Sequence, residues 1–302
     1  MPSDTVIAVE SVVRDPQYAP YADGPGGPFR WRLALRPLDL ADWIELGDHY
    51  ERDVTRKREV QARHPGTVFA AMPEAVDGCA EVRDAIVDHL ATRFPEDFAR
   101  DGDGLVNRRL DERVLIDDPD RHPLEVAARL VQEDLIVMVE APELVFAAGS
   151  VCFPNRWDLA SKLGKSLVEV HEPVSQLNEQ LGEPIAKFFE RLTPAKSFWR
   201  LGWGVLDTDD LYQPLDGTAA PRSGRVGLDD LVVRIERETL RRFPRTGAVL
   251  FTIRTYTRPL REVAAGEPMN RLLEALATMP DDIAAYKQLE GIRPALAGLL
   301  DG

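Results

Sequence analysis

Two stretches of this sequence combine residue types and spacing that could do chemistry. The first, SKLGKSLVEVHEPV at 161–174, puts Gly164-Lys165-Ser166 five residues ahead of His171. Gly-Lys-Ser ends a phosphate-binding loop only when another glycine stands five positions before Gly164 and a strand leads in, so that turn N–H groups face the phosphates. Position 159 is leucine and the run has helical periodicity, so a nucleotide site is not supported. No GxGxxG occurs, and with it goes any dinucleotide fingerprint. His171 ends an apolar-faced run (Leu163, Leu167, Val170), and Pro173 biases Glu172 to extended backbone, so a helix should stop close to the imidazole. Without an HExxH or a second histidine nearby, His171 cannot hold zinc. It can supply the single axial imidazole that haem iron takes from a protein, or be a satisfied core histidine; both readings are open on residue types. The other four histidines, His49, His64, His89 and His122, lie in polar or helix-edge contexts and read as solvated or locally hydrogen-bonded.

The second stretch is a run of arginines in an acidic chain. Arg234, Arg237, Arg241, Arg242, Arg245, Arg254, Arg258 and Arg261 crowd together, with Glu236 and Glu238 among them. On a strand, period two puts Arg234, Glu236 and Glu238 on one face and Ile235 and Arg237 on the other. Paired polar groups facing inward are costly to bury without a partner or a purpose. The acidic stretches at 117–122 and 207–217 lack calcium-loop spacing, and no GxSxG elbow occurs.

The elements that must position these groups change character along the chain. Residues 14–28 are Pro/Gly-rich and read as an irregular lead-in. Helical periodicity marks 38–63, where Asp39 can cap the start, then 79–98 as far as Pro95, then 122–135, so the first 130 residues read as mainly helical. Beyond Leu135 come two β-rich runs split by a turn containing Pro142, then helical stretches over 156–172 and 175–192. Strand-like runs follow at 197–206, 230–243 and 248–260, and a helical tail with a break at Pro280 closes the chain. An opening hairpin, covering helices and three closing strands make an α+β arrangement in the order of a PAS-like, five-stranded antiparallel sheet, although other α+β folds share that order.

The 302 residues, 44% hydrophobic, are enough for a full core in one large domain or two modest ones. A formal net charge of −14 disfavours nucleic acid and anionic membranes as partners. The first residues lack a basic and apolar leader, and no apolar run approaches the roughly 18 residues of a span, so a cytoplasmic location is expected. Cys79 and Cys152, far apart, cannot build a disulfide framework or an iron–sulfur or zinc-ribbon site.

Several long blocks together carry a resemblance: VCFPNRWDLASKLGKSLVEVHEPV, FWRLGWGVLD, RIERETLRRFPRTGAVLFTIRTYTRPL, and in the helical part LRPLDLADWIELGDHY and HPLEVAARLVQEDL. Over roughly residues 30–265 the chain resembles the family of haem-dependent oxidative N-demethylases. Periodicity and the resemblance together give a mainly helical region over 1–133, a PAS-like haem-binding domain over 134–265 and a C-terminal helical segment over 266–302, as separate units or as one compact domain. It implies haem b with His171 as the iron ligand, Lys162, Arg237 and Arg254 toward the haem carboxylates, and Arg200 as a donor to bound oxygen. Glu236 would hold the ammonium of the substrate, with Trp203 or Tyr256 beside it. The implied reaction is oxidation of a small secondary amine such as dimethylamine with O₂. Electrons would come from NADPH through FMN and a 2Fe-2S cluster on separate reductase subunits, consistent with the lack of a dinucleotide fingerprint.

The chain departs from the family pattern in three places. RxNW becomes Arg200-Leu201-Gly202-Trp203, ERQT becomes Glu236-Arg237-Glu238-Thr239, and PVP becomes Pro173-Val174-Ser175. Losing an amide at Gly202 is expected to leave room for a different or larger amine. A haem-binding PAS sensor of gas or redox state without turnover is the alternative, as is a haem-free assembly subunit.

Overall fold

The computed structural model describes residues 16, 18–21, 29–215, 228–263, 267–289 and 292–293. Most of the 14–28 lead-in and the end of the 207–217 stretch lie outside the described residues. Strands β1 (Arg36–Leu38), β2 (Phe69–Ala71), β6 (Asp134–Glu140), β7 (Leu144–Ser150), β8 (Ser197–Leu206), β9 (Val232–Arg242) and β10 (Val249–Pro259) form one sheet in the order β1-β8-β9-β10-β6-β7-β2. Every pair in it is antiparallel. The opening hairpin and the three closing strands occupy its centre as expected, but β1 and β2 widen the sheet to seven strands. Each added strand has three residues, too few to show a period of two in sequence.

The N-terminal part contains helices α1 (Tyr50–Arg63), α2 (Pro65–Val68), α3 (Val76–Arg93) and α4 (Pro123–Ala128). It is less helical than its periodicity suggests, because β3 (Phe98–Asp101), β4 (Gly104–Asn107) and β5 (Glu112–Leu115) form a second, three-stranded sheet. Asp39 does cap a turn, accepting from the Ala41 N–H at 2.9 Å. After the hairpin come α5 (Leu167–His171) and α6 (Leu177–Arg191), and α7 (Glu267–Ala277) and α8 (Asp281–Tyr286) follow β10.

Register gives the main sheet two unlike faces. Arg200 stands opposite Glu238, Gly202 opposite Glu236 and Gly204 opposite Arg234, which sets these residues on one face together with Phe251, Ile253 and Thr255 of β10. Leu163, Leu167, Val170, Phe188 and Phe189, from the α5–α6 region, pack over this face with Ile136, Phe146, Leu240 and Val249. The other face carries Val233, Ile235, Arg237, Arg254 and Tyr256. There Trp43, Val54 and Ile86 join Val137 and Leu250 in one core, and Leu272, Leu276 and Ile283 of α7 and α8 join Val233 and Ile235 in another.

Charge is buried inside the first of those cores. Lys57 of α1 is wholly buried, donates to the carbonyls of Val131 (3.2 Å) and Glu133, and lies 3.7 Å from Asp134. Asp134 in turn accepts from the Cys152 and Phe153 N–H groups at 2.9 and 2.8 Å. Among the described residues no helix is long and apolar enough to cross a membrane.

His89 of α3 gives the core a pH dependence. It sits edge-on to Trp43 and Phe94, and its Nε2 is buried with no hydrogen-bond partner among the described residues. Burial first, then Arg241 and Arg93, push its pKa down to about 4. Between that value and the unfolded-state value of about 6.5, the unfolded chain binds more protons, so this contribution is present above that window and is lost as pH falls through it. The unfolding free energy of the wild type should therefore drop more than that of His89→Gln between pH 7 and 4. A difference between the two that is constant with pH, measured by urea unfolding, would refute this.

Candidate functional site

The segment holding Gly164-Lys165-Ser166 is not one continuous helix. A 3-10 turn at Ala160–Lys162 is followed by Gly164 at φ +76°, a left-handed conformation that glycine adopts without steric cost. The turn is bonded to β7: the Gly164 N–H donates to the Phe146 carbonyl at 2.8 Å, and the Phe146 N–H donates to the Lys165 carbonyl at 2.9 Å. Val145 and Ser166 form an isolated antiparallel bridge. Ser166 then caps α5 in a capping box with Glu169, so its hydroxyl is committed to the helix start. Lys162 donates to the Val170 carbonyl at 2.7 Å, closing the other end of α5 beside His171.

His171 is the last residue of α5 and is partly buried. Its Nδ1 is shielded from solvent and meets no hydrogen-bond partner among the described residues. Burial, reinforced by Arg200 and Lys162, pushes its pKa below the usual imidazole range, while the Leu167 carbonyl one turn back opposes this. The neutral ring, the form with a lone pair to give, is favoured.

Facing it on the sheet are two ion pairs. Arg200 Nε lies 3.1 Å from Glu238 Oε2, and Arg234 Nε lies 2.8 Å from Glu236 Oε1. Arg234 is buried and also bonds Thr255 Oγ1 at 3.1 Å and the Phe153 carbonyl, which fixes Glu236 from behind. Burial pushes the Glu238 carboxyl up, and so does Glu236, with Arg200 and Lys287 opposing. Lys287, just beyond α8, donates to the Trp203 carbonyl at 3.0 Å. Burial and Arg200 lower its pKa, and Glu236 and Glu238 raise it.

Of the residues singled out in the sequence, Lys162 and Arg200 therefore lie near His171, and Glu236 shares the sheet face of Arg200. Arg237, Arg254 and Tyr256 do not: they occupy the opposite face and are already engaged. Arg237 pairs with Glu45 at 3.2 Å and donates to the Asp42 and Trp43 carbonyls. Arg254 pairs with Asp53 at 3.2 Å and lies 4.7 Å from the Tyr256 ring centroid, and the Tyr256 hydroxyl donates to Glu45. Trp203 straddles the division, its ring meeting Tyr21 while its carbonyl takes Lys287. The expected vacancy at Gly202 is absent too, since a Cβ there would stand 3.0 Å from Glu238 Oε1. Two departures from the family pattern, Gly202 and Glu238, are thus neighbours, the carboxylate filling the space beside the glycine.

Sequence reasoning missed Lys287, which no motif surrounds. Cys79 and Cys152 are free and buried, both thiols pushed up to about 12 by burial. Among the described residues no group of three or more His, Cys, Asp or Glu is placed to hold a metal ion.

The fold and site thus define an antiparallel α+β protein with one shielded, neutral imidazole set over an ion-paired sheet face. A protein family's model matches this chain over residues 34–297, and its description reads haem-dependent oxidative N-demethylase, alpha subunit-like. The chain belongs to that family.

The residues present are compatible with such a group: haem takes a single neutral nitrogen from the protein, of the kind His171 has, and Lys162 beside it is a cation of the kind its carboxylates need.

Proposed function

We propose that this chain is the haem-bearing oxygenase subunit of an amine N-demethylase, with His171 as the axial ligand. The observation that carries the reading is the shielded His171 imidazole, held neutral beside Arg200. The central strands run in the order β8-β9-β10-β6-β7, and residues of the α5–α6 region cover the face that carries Arg200 and Glu236. Haem, when bound, supplies the iron that takes and reduces O₂.

The chain's own residues do the rest. The neutral His171 ring, with no hydrogen bond to its buried Nδ1 among the described residues, keeps a lone pair to give to iron. Lys162, tied to the Val170 carbonyl, holds the end of α5 in place. Arg200 presents a fixed guanidinium toward developing negative charge. Glu236, steadied by Arg234, attracts an alkylammonium.

Removing one methyl group as formaldehyde consumes one O₂, two electrons and two protons and releases one water. A reductant is therefore required, and we assign it to a separate reductase carrying NADPH, FMN and a 2Fe-2S cluster. With haem-loaded protein, dithionite-reduced and aerated, dimethylamine should give formaldehyde with no more than one equivalent per two electrons supplied. Haem binding without amine-dependent formaldehyde would favour the gas-sensing alternative.

A further inference from the structure

Lys287 occupies surroundings that suit a different guest. Its Nζ lies 5.2 Å from the Trp31 ring centroid and 5.9 Å from that of Trp203, and it donates to the Trp203 carbonyl at 3.0 Å. Glu236 and Glu238 act on it electrostatically. Two indole faces, a carbonyl acceptor and nearby carboxylates are what recognises an alkylammonium ion, and a lysine side chain ends in one. An anion entering there would meet the negative faces of both rings and two carboxylates.

The box lies beside the imidazole-bearing segment. Trp31 Nε1 donates to the Ser175 carbonyl at 2.9 Å, four residues past His171, and Asp282 of α8 accepts from Ser175 and Gln176. Lys287 is half-buried and has a flexible four-carbon stem, so a rotamer change can carry its ammonium toward water, giving up the Trp203 carbonyl and both ring faces.

We propose that the Lys287 ammonium is the resident occupant of an alkylammonium site, which a substrate amine enters by displacing it. This rests on the amine-oxidising reading above and adds what sets its affinity: the guest must outcompete a tethered cation. Substrates small enough to fit between Trp31 and Trp203 would be selected, and Lys287 would tune the working concentration.

The test is calorimetric titration of dimethylammonium chloride into the haem-loaded full chain, with potassium chloride as the ionic control. Lys287→Met should bind about tenfold more tightly than wild type, and adding Trp31→Ala should remove the gain. Equal or weaker binding by Lys287→Met, at unchanged haem content and melting temperature, overturns the proposal. If that variant does not fold, the wild type decides: trimethylammonium should raise acetylation of Lys287 by an N-hydroxysuccinimide ester above the potassium control. Unchanged labelling overturns the proposal. A chain that takes up no haem, yet still gains ammonium affinity in Lys287→Met, would sink the oxygenase reading and leave this site standing.

Discussion

His171→Ala should abolish tight haem binding. The wild type, supplied with haem, is expected to show a Soret band that shifts on reduction with dithionite, and the variant to lose that band or retain only a weak, exogenously ligated one. The affinity loss should be about a hundredfold or more, since His89, the other imidazole with an unpartnered buried nitrogen, packs against Trp43 and Phe94 in a different core. His171→Gly with added imidazole should restore much of the absorbance, because free imidazole can fill the vacated position. Retention of an unaltered Soret band in His171→Ala would remove the histidine from the role and require another ligand. The fold should survive the change, since α5 is five residues long and held by its caps, by β7 and by α6, where Asn178 donates to the Val168 carbonyl.

The second large effect concerns stability. Lys57→Met should cost about 3–5 kcal/mol of unfolding free energy, the range seen when one partner of a buried pair is removed. The loss is large because Asp134 is left charged in the core, where burial already pushes its carboxyl up and Lys57 is the main opposing influence. The Val131 and Glu133 carbonyls lose their donor as well. Adding Asp134→Asn should recover part of the loss, since the uncompensated charge is then gone although the carbonyls remain unsatisfied. Urea unfolding of the four chains in the cycle checks this. A Lys57→Met loss under about 1 kcal/mol would mean that water or a rearranged partner reaches Asp134.

The long strands were legible because length made their period visible. β9 and β10 have eleven residues each, and the alternation of Arg234, Glu236 and Glu238 against Ile235 and Arg237 holds in the register. The same alternation carried information that motif proximity obscured. Arg237 adjoins Glu236, so on a strand the two cannot share a face, and assigning both to one site ignored that parity. Arg254 stands opposite Arg237 and shares its face, a fact fixed by cross-strand register, which is invisible in a single sequence. The sheet of β3–β5 escaped notice because its strands have only four residues each, and β3 and β5 alternate little between apolar and polar. Lys287 and Trp31 joined the site through tertiary packing alone. Gly202 could be read as a missing side chain, but not as a space claimed by Glu238 from the next strand.

The suspension of α5 from β7 bears on kinetics. Main-chain bonds at Phe146 and the bridge at Val145 fix the turn before α5 to a strand of the central sheet, and Lys162 secures the end that carries the imidazole. His171 is thus held in place by main-chain bonds to the central sheet before anything binds. Uptake of a prosthetic group should then follow a single second-order phase, limited by encounter and entry, without a slow concentration-independent step for building the helix. Release should likewise leave the sheet and α5 assembled, so the chain can exchange its cofactor repeatedly without passing through an unfolded, aggregation-prone state.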